Sequence, residues 1–221
     1  FKTDAGGTID LSNFTFLGWT SGTDVIKLTG SGGAETLKGT SQADTITGGD
    51  GNDNIDLTQG GTDRVVLTGT AAITGSGASN PGGTDTITGF TAGAGGDVLQ
   101  FGSTWLGGTA FTSASVSTGA AIGLASGNDG YIYIVSDNGS AANASAVASL
   151  AGAFSAAGSQ KALFIIDDAA GTTGNAQIWY VNDSLDGNAA DVTAADVVLI
   201  GVLTGVEAST LVAANFASTA V

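Results

Sequence analysis

An acidic residue followed two positions later by an aliphatic one recurs along the first half of the chain. The members are TDVI (23–26), AETL (34–37), ADTI (43–46), NDNI (52–55), TDRV (62–65), TDTI (84–87) and GDVL (96–99). Glu35, Asp44 and Asp53 are nine residues apart; Asp63 follows ten residues later, and Asp24 precedes Glu35 by eleven. Each unit reads as a Gly-rich turn leading into a strand of about three residues. One such unit cannot bury its aliphatic side chain alone. Stacked units can, so the series predicts a parallel β-solenoid. Nine residues per half-turn send successive aliphatics into opposite sheets. Ile46 and Ile55 then lie in the two facing sheets, and Leu37 stacks on the side of Ile55. The series loosens over 66–83, where TGSGASNPGG reads as a longer loop.

From about residue 111 the pattern lengthens. YIYIVSD (131–137), ALFIIDD (162–168), AQIWYVND (176–183) and DVVLIGVL (196–203) read as longer strands. AANASAVASLAGAFSAAG (141–158) reads as a helix, with Val147, Leu150 and Phe154 at i, i+3 and i+7. The tail is apolar and hydroxyl-rich, with Glu207 its only charged side chain. The expected fold is mainly β: a parallel β-roll, then a β-rich C-terminal capping region with one short helix. The expected division is 1–110 for the roll and its flanks and 111–221 for the C-terminal region.

Composition narrows the chemistry. Glycine accounts for 37 of 221 residues and proline for one, which suits many tight turns and excludes a collagen pattern. Twenty acidic residues face five basic ones, a net charge of −15, and every acid except Glu35 and Glu207 is Asp. Short Asp side chains sit well in turns and ligate hard cations. Such a surface repels phosphate, so nucleic acid is not an expected partner. There is no His, Cys or Met, which removes zinc-protease helices, Ser-His-Asp triads, Cys nucleophiles, soft-metal sites and disulfides. The chain is therefore not expected to be an enzyme. No apolar run reaches the roughly 18 residues of a membrane span, and no signal peptide opens the chain. The sequence starts at Phe1 without Met, the expected mark of a fragment or a processed form.

Residues 48–56, GGDGNDNID, match the repeat G-G-x-G-x-D-x-U-x at Gly48, Gly49, Gly51, Asp53 and Ile55. Glycines permit a tight turn that aims carbonyl oxygens at one point, and the Asp adds a carboxylate. Calcium takes about six to eight oxygens, so two turns stacked on one edge are needed to complete a shell. Geometry pairs Glu35 with Asp53 on one edge and Asp44 with Asp63 on the other. Asp50 and Asp56 read as surface charges.

On these motifs, residues 23–99 resemble the RTX repeats of bacterial toxins, proteases, adhesins and surface-layer proteins exported by type I secretion. One repeat is strict. SGGAETLKG (31–39) has Glu35 for Asp, GTSQADTIT (39–47) keeps one Gly with Asp44, and TQGGTDRVV (58–66) is one residue short. The resemblance implies calcium as cofactor and a short roll of roughly two to four ions. Its expected ligating positions are Glu35, Asp44, Gly48, Gly49, Gly51, Asp53, Gly60, Asp63 and Asp85. It implies a secreted or cell-surface protein whose tail, STLVAANFASTAV (209–221), has the character of a type I export signal. The expected function is a calcium-dependent folding and assembly module of a surface-layer or fibre-forming protein. Its expected partners are calcium ions, the type I secretion apparatus and further copies of itself. An export or anchoring module of an adhesin, and the non-catalytic end of a secreted hydrolase or toxin, are the alternatives.

Three further features carry weaker expectations. NDSLDGNAADVTAAD (182–196) clusters acids but lacks EF-hand spacing, so a turn between strands is the better reading. The adjacent acids of IIDD (165–168) should face opposite ways on a strand, which argues against paired-carboxylate chemistry. Trp19, Trp105, Trp179, Tyr131, Tyr133 and Tyr180 read as core before they read as a sugar platform.

Overall fold

The repeat strands pair with the strand two repeats away and never with their neighbour in sequence. In the computed structural model, which describes residues 1–67, 82–102, 112–117, 131–136, 143–151, 161–168, 174–183 and 192–219, they alternate between two parallel sheets. One holds β1 (Thr8–Asp10), β3 (Thr36–Lys38), β5 (Asn54–Asp56) and β7 (Asp85–Thr88). The other holds β2 (Ile26–Thr29), β4 (Asp44–Thr47), β6 (Arg64–Leu67) and β8 (Val98–Gly102).

Strand side chains alternate with period two, so each short strand can send one aliphatic inward and its neighbours outward. Registers then stack these aliphatics into columns. Ile9, Leu37, Ile55 and Ile87 form one column, and Leu28, Ile46, Val65 and Leu99 form the facing one. Leu37 and Ile55 share a sheet that Ile46 faces, as the nine-residue period requires. Leu11, Leu57, Leu67 and Phe101 fill between the columns.

The register differs from the sequence alignment at one unit. Ile26 lies opposite Asp44 and Leu28 opposite Ile46, so Asp24 falls outside the stacked acids and accepts Thr20 N–H at 2.7 Å instead. The strand IKLT carries aliphatics at both 26 and 28, and the observed register buries both. A rung also precedes the series. TIDLS (8–12) repeats NIDLT (54–58), with Asp10 and Asp56 each closing a short turn onto Ser12 and Thr58.

The second half extends the first sheet. β9 (Thr112–Ser117), β10 (Tyr131–Ser136), β11 (Lys161–Asp167), β12 (Ala176–Asn182) and β13 (Val197–Thr204) complete the order β1-β3-β5-β7-β13-β12-β11-β10-β9. β13 joins β7 in parallel, placing Leu203 beneath Ile87 and Gly201 beneath Asp85. The uninterrupted apolar runs of β10–β12 reflect burial on both faces. Ile132, Ile134, Leu163, Ile165, Ile178 and Tyr180 face the core shared with the roll. Tyr133, Val135, Phe164, Ile166, Trp179 and Val181 face helix α1 (Ala144–Ala151). Asn143 caps α1 through Ala146 N–H at 3.0 Å, and Val147 and Leu150 are buried against the sheet. Phe154, and with it the rest of the helix expected over 141–158, lies outside the described residues. So does most of the acidic stretch 182–196. Among the described residues, no helix is long and apolar enough to cross a membrane.

After β13 the chain crosses from one sheet to the other. Val206, Ala208 and Leu211 enter the shared core on the way. β14 (Phe216–Thr219) then adds in parallel to β8, the closing strand of the second sheet.

Truncating a column residue should open a cavity that the stacked rungs cannot close. Ile55→Ala, in saturating calcium, should cost about 2–5 kcal/mol in denaturant unfolding, whereas exposed Lys27→Ala should stay within about 0.5 kcal/mol.

Candidate metal centre

The register that stacks the aliphatics also stacks the acids, because each acid stands two residues before its aliphatic. One edge of the roll reads Gly7, Glu35, Asp53, Asp85, Gly201; the other reads Ile26, Asp44, Asp63, Asp97, Ala214. Three carboxylates on each edge are thus bounded by residues without charge. All six are buried, none more than 4% exposed. Asp97 was in the sequence series but not among the expected ligating positions.

Every carboxylate but that of Asp44 reaches to the rung above it on its own edge. Gly6 N–H donates to Glu35 Oε1 at 2.6 Å, Glu35 N–H to Asp53 Oδ1 at 2.8 Å, and Asp53 N–H to Asp85 Oδ1 at 3.1 Å. On the other edge Asp44 N–H donates to Asp63 Oδ1 at 2.9 Å and Asp63 N–H to Asp97 Oδ1 at 2.7 Å.

The second oxygens separate the turns into two kinds. Glu35 Oε2 accepts Ser31 N–H at 2.9 Å, and Asp97 Oδ2 accepts Thr91 N–H at 2.7 Å. Both oxygens of Asp44 are taken within its own turn, by Thr40 N–H at 2.5 Å and the Thr40 hydroxyl at 3.1 Å. These turns close on themselves. The strict turn does not: Asp53 Oδ2 is buried with no hydrogen-bond partner. An orphaned buried oxygen is costly unless something positive meets it.

The glycines of that turn bring backbone oxygens into the same space. A Cβ on Gly48 would strike Asp53 Oδ2, one on Gly49 would strike the Ser31 carbonyl, and one on Gly51 the Gly33 carbonyl. Gly49 and Gly51 also hold φ of +115° and +110°, where a side chain is strained. The two turns of this edge thus pack backbone on backbone, with the Ser31 carbonyl taking Asp50 N–H at 2.8 Å and the Gly33 carbonyl lying against Gly51, beside the Asp53 carboxylate's turn. This donor set fits a hard cation such as calcium, which prefers carboxylate and carbonyl oxygen. Gly60 has φ +82° with open space around it, and its neighbour Gly61 meets the Gln42 carbonyl. Among the described residues, no three acids gather at one point. Carbonyls would have to complete any shell.

Electrostatics follow burial. Lys38 makes two ion pairs on the outer face, to Asp10 at 3.7 Å and Asp56 at 4.0 Å. Among the described residues, none of the six stacked acids has a cationic partner. Desolvation pushes the Asp53 carboxyl up to about 6 against the pull of the Glu35 N–H, with the charges of Glu35 and Asp50 adding to the rise. Desolvation likewise pushes Asp63 up to about 7 and Asp85 to about 8, and raises Asp44 and Asp97. Asp10 moves the other way, lowered by its hydrogen bonds from Ser12.

The remaining candidates are structural. Asp56 holds Thr58 and stands beside Lys38 at the surface. Asp167 accepts Ala208 N–H, and Asp168 accepts the Asn175 N–H and carboxamide, so the two adjacent acids serve different segments. Tyr133, Trp179 and Tyr180 are buried in the core and Trp19 is half-buried against it. Trp105 and the side chain of Tyr131 lie outside the described residues.

Two predictions follow from this geometry. Gly51→Ala should weaken calcium binding at least about tenfold in a calorimetric titration, through strain and collision with Gly33, while Gly32→Ala, in open space, should leave it unchanged. The second concerns pH. Folded carboxyl pKa values raised above 3.8 mean that the metal-free fold holds protons the unfolded chain releases. Stability is then greatest at low pH and is lost as pH rises through about 6 to 8. In chelator, the β-sheet signal in circular dichroism should persist near pH 5 and be lost by about pH 8.5, and saturating calcium should remove that pH dependence.

Residues 29–62 match the family model described as RTX calcium-binding nonapeptide repeat (4 copies). Comparisons with characterised proteins and with solved structures find no match. The matched span holds the turns of Glu35, Asp44 and Asp53 and stops before Asp63. The stacked geometry carries the same arrangement on through Asp85 and Asp97. Proteins with these repeats are typically secreted. The chain resembles the RTX proteins: it is mainly β, its parallel roll contains a match to their nonapeptide repeats over residues 29–62, and the cofactor of those repeats is calcium.

Proposed function

We propose that this chain is the calcium-dependent folding and assembly module of a secreted bacterial surface-layer or fibre-forming protein. The observation that carries the reading is the pair of buried acid ladders with no cationic partner and an orphaned oxygen at Asp53. At low calcium, repulsion among these acids keeps the repeats unfolded and able to thread an exporter. Outside the cell, calcium at about 10⁻⁴–10⁻³ M folds the roll. Residues 209–221 act first as the export signal, and β14 within them then adds as the last rung.

Assembly is supported by charge and composition. A net charge of −15 makes copies repel one another, so a divalent cation that loads the roll also lowers the barrier between copies. The lack of His and Cys and the Gly/Ala/Thr/Ser-rich makeup suit a structural role.

One observation favours the adhesin module as a second reading. Phe1, Phe14 and Leu17 are exposed near the start of the roll, and Phe14, Phe16 and Trp19 run in sequence with centroid separations of 6.5 and 5.3 Å. Exposed apolar patches of this kind mark contact surfaces.

Calcium removal tests the reading. At about pH 8, chelator should abolish the β-sheet signal in circular dichroism, and millimolar calcium should restore it. Light scattering in the same titration should then rise. Recovery of fold without a rise in mass would sink the assembly role and leave the adhesin module. An unchanged spectrum in chelator would sink the calcium switch itself.

A further inference from the structure

The second edge ends on a residue of a different kind. The rung after Asp97 carries Ala214 in the acid position, and the next residue, Asn215, turns its side chain into the roll and is wholly buried. Its Nδ2 donates to the Asp97 carbonyl at 2.8 Å and the Gly93 carbonyl at 3.1 Å. Its Oδ1 accepts Gly93 N–H at 2.9 Å and Val212 N–H at 3.0 Å. Two donors and two acceptors saturate the carboxamide, and the carbonyls on one side with N–H groups on the other fix which way it points.

The contrast with the strict turn is chemical. There, the orphaned Asp53 Oδ2 calls for an external positive centre. At the last turn, two converging carbonyls already face the positive end of an amide dipole carried by the chain. Asp97 itself is closed by Asp63 N–H and Thr91 N–H, so its carboxylate leaves no orphaned oxygen of the kind found at Asp53.

We propose that Asn215 is a built-in substitute for the cation at the end of this edge. It ties the turn over 91–97 to β14 without calcium and fixes the C-terminal rung on the roll. The proposal rests on the calcium reading of the strict turn but concerns a site where calcium is not used. Asn215 is a positioning residue in it. A carboxylate in its place would lose both donors and would present oxygen to two carbonyls, the beginning of a cation shell.

The test is a calcium titration of the full chain followed by circular dichroism, with bound ions counted by native mass spectrometry. Wild type, Asn215→Ala and Asn215→Asp are compared. Asn215→Ala should raise the calcium midpoint of folding about tenfold, the scale expected when buried hydrogen-bond partners are stranded. Asn215→Asp should show the same loss at low calcium, then recover at high calcium with one ion more than wild type. Wild-type midpoints and ion counts in both variants would overturn the proposal. If neither variant folds, hydrogen exchange on the wild type decides. The amides of Gly93 and Val212 should gain protection at or below the calcium concentration that protects residues 48–53. Protection only at higher calcium would overturn it. A wild type that folds fully in chelator would sink the calcium switch instead. Asn215 would then be judged by whether Asn215→Ala lowers the thermal midpoint in chelator.

Discussion

Six carboxylates withdrawn from water along two edges, with no cationic side chain to meet them, are the constraint on which the rest of the roll depends. Removing an ionised carboxylate from water is expensive, and stacking several makes it more so. The chain answers in three ways. It aims the N–H of Glu35, Asp44, Asp53 and Asp63 at the carboxylate of the rung below, it folds some turns back so that their own N–H groups take the second oxygen, and at Asp53 it leaves an open oxygen that suits a cation. Glu35, Asp44 and Asp97 belong to the closed kind and Asp53 to the open kind.

The aliphatic columns are the other half of the same geometry. An acid two residues before an aliphatic means that whatever stacks Ile55 under Leu37 also stacks Asp53 under Glu35. Packing and charge therefore cannot be tuned separately. The thin interior, one or two large side chains per strand, gains its stability from length. The nine-stranded sheet supplies that length by carrying the column from Ile87 to Leu203 and onward into a two-faced sheet covered by α1.

Much of this is written in the sequence. The nine-residue spacing fixes which sheet each aliphatic enters, and GGDGND announces its turn because both the glycines and the acid are unavoidable there. The apolar runs of 131–136 and 162–167 disclose strands buried on both faces. What escaped has physical reasons. Ile26 and Leu28 offer two registers, and only burial of both chooses between them. The rung at Thr8–Asp10 has Gly7 where the acid would be, so the duplicated IDLS and IDLT are its one signal. Whether a turn closes on its own N–H is a property of backbone path, invisible in residue type. Asn215 has neither glycine nor acid around it in VAANF, and nothing local announces that it will meet Gly93.

Pairing at every second repeat gives the roll a parity. Each nonapeptide sends the chain to the opposite sheet, so β13 and β14 arrive at β7 and β8 because the number of half-turns before them is what it is. Losing or gaining one repeat would deliver every later rung to the wrong sheet and set each strand's partner across the core instead of beside it. Losing or gaining two leaves every later partner unchanged. A chain built this way can lengthen or shorten over generations only in whole turns, and its closing strand keeps the count.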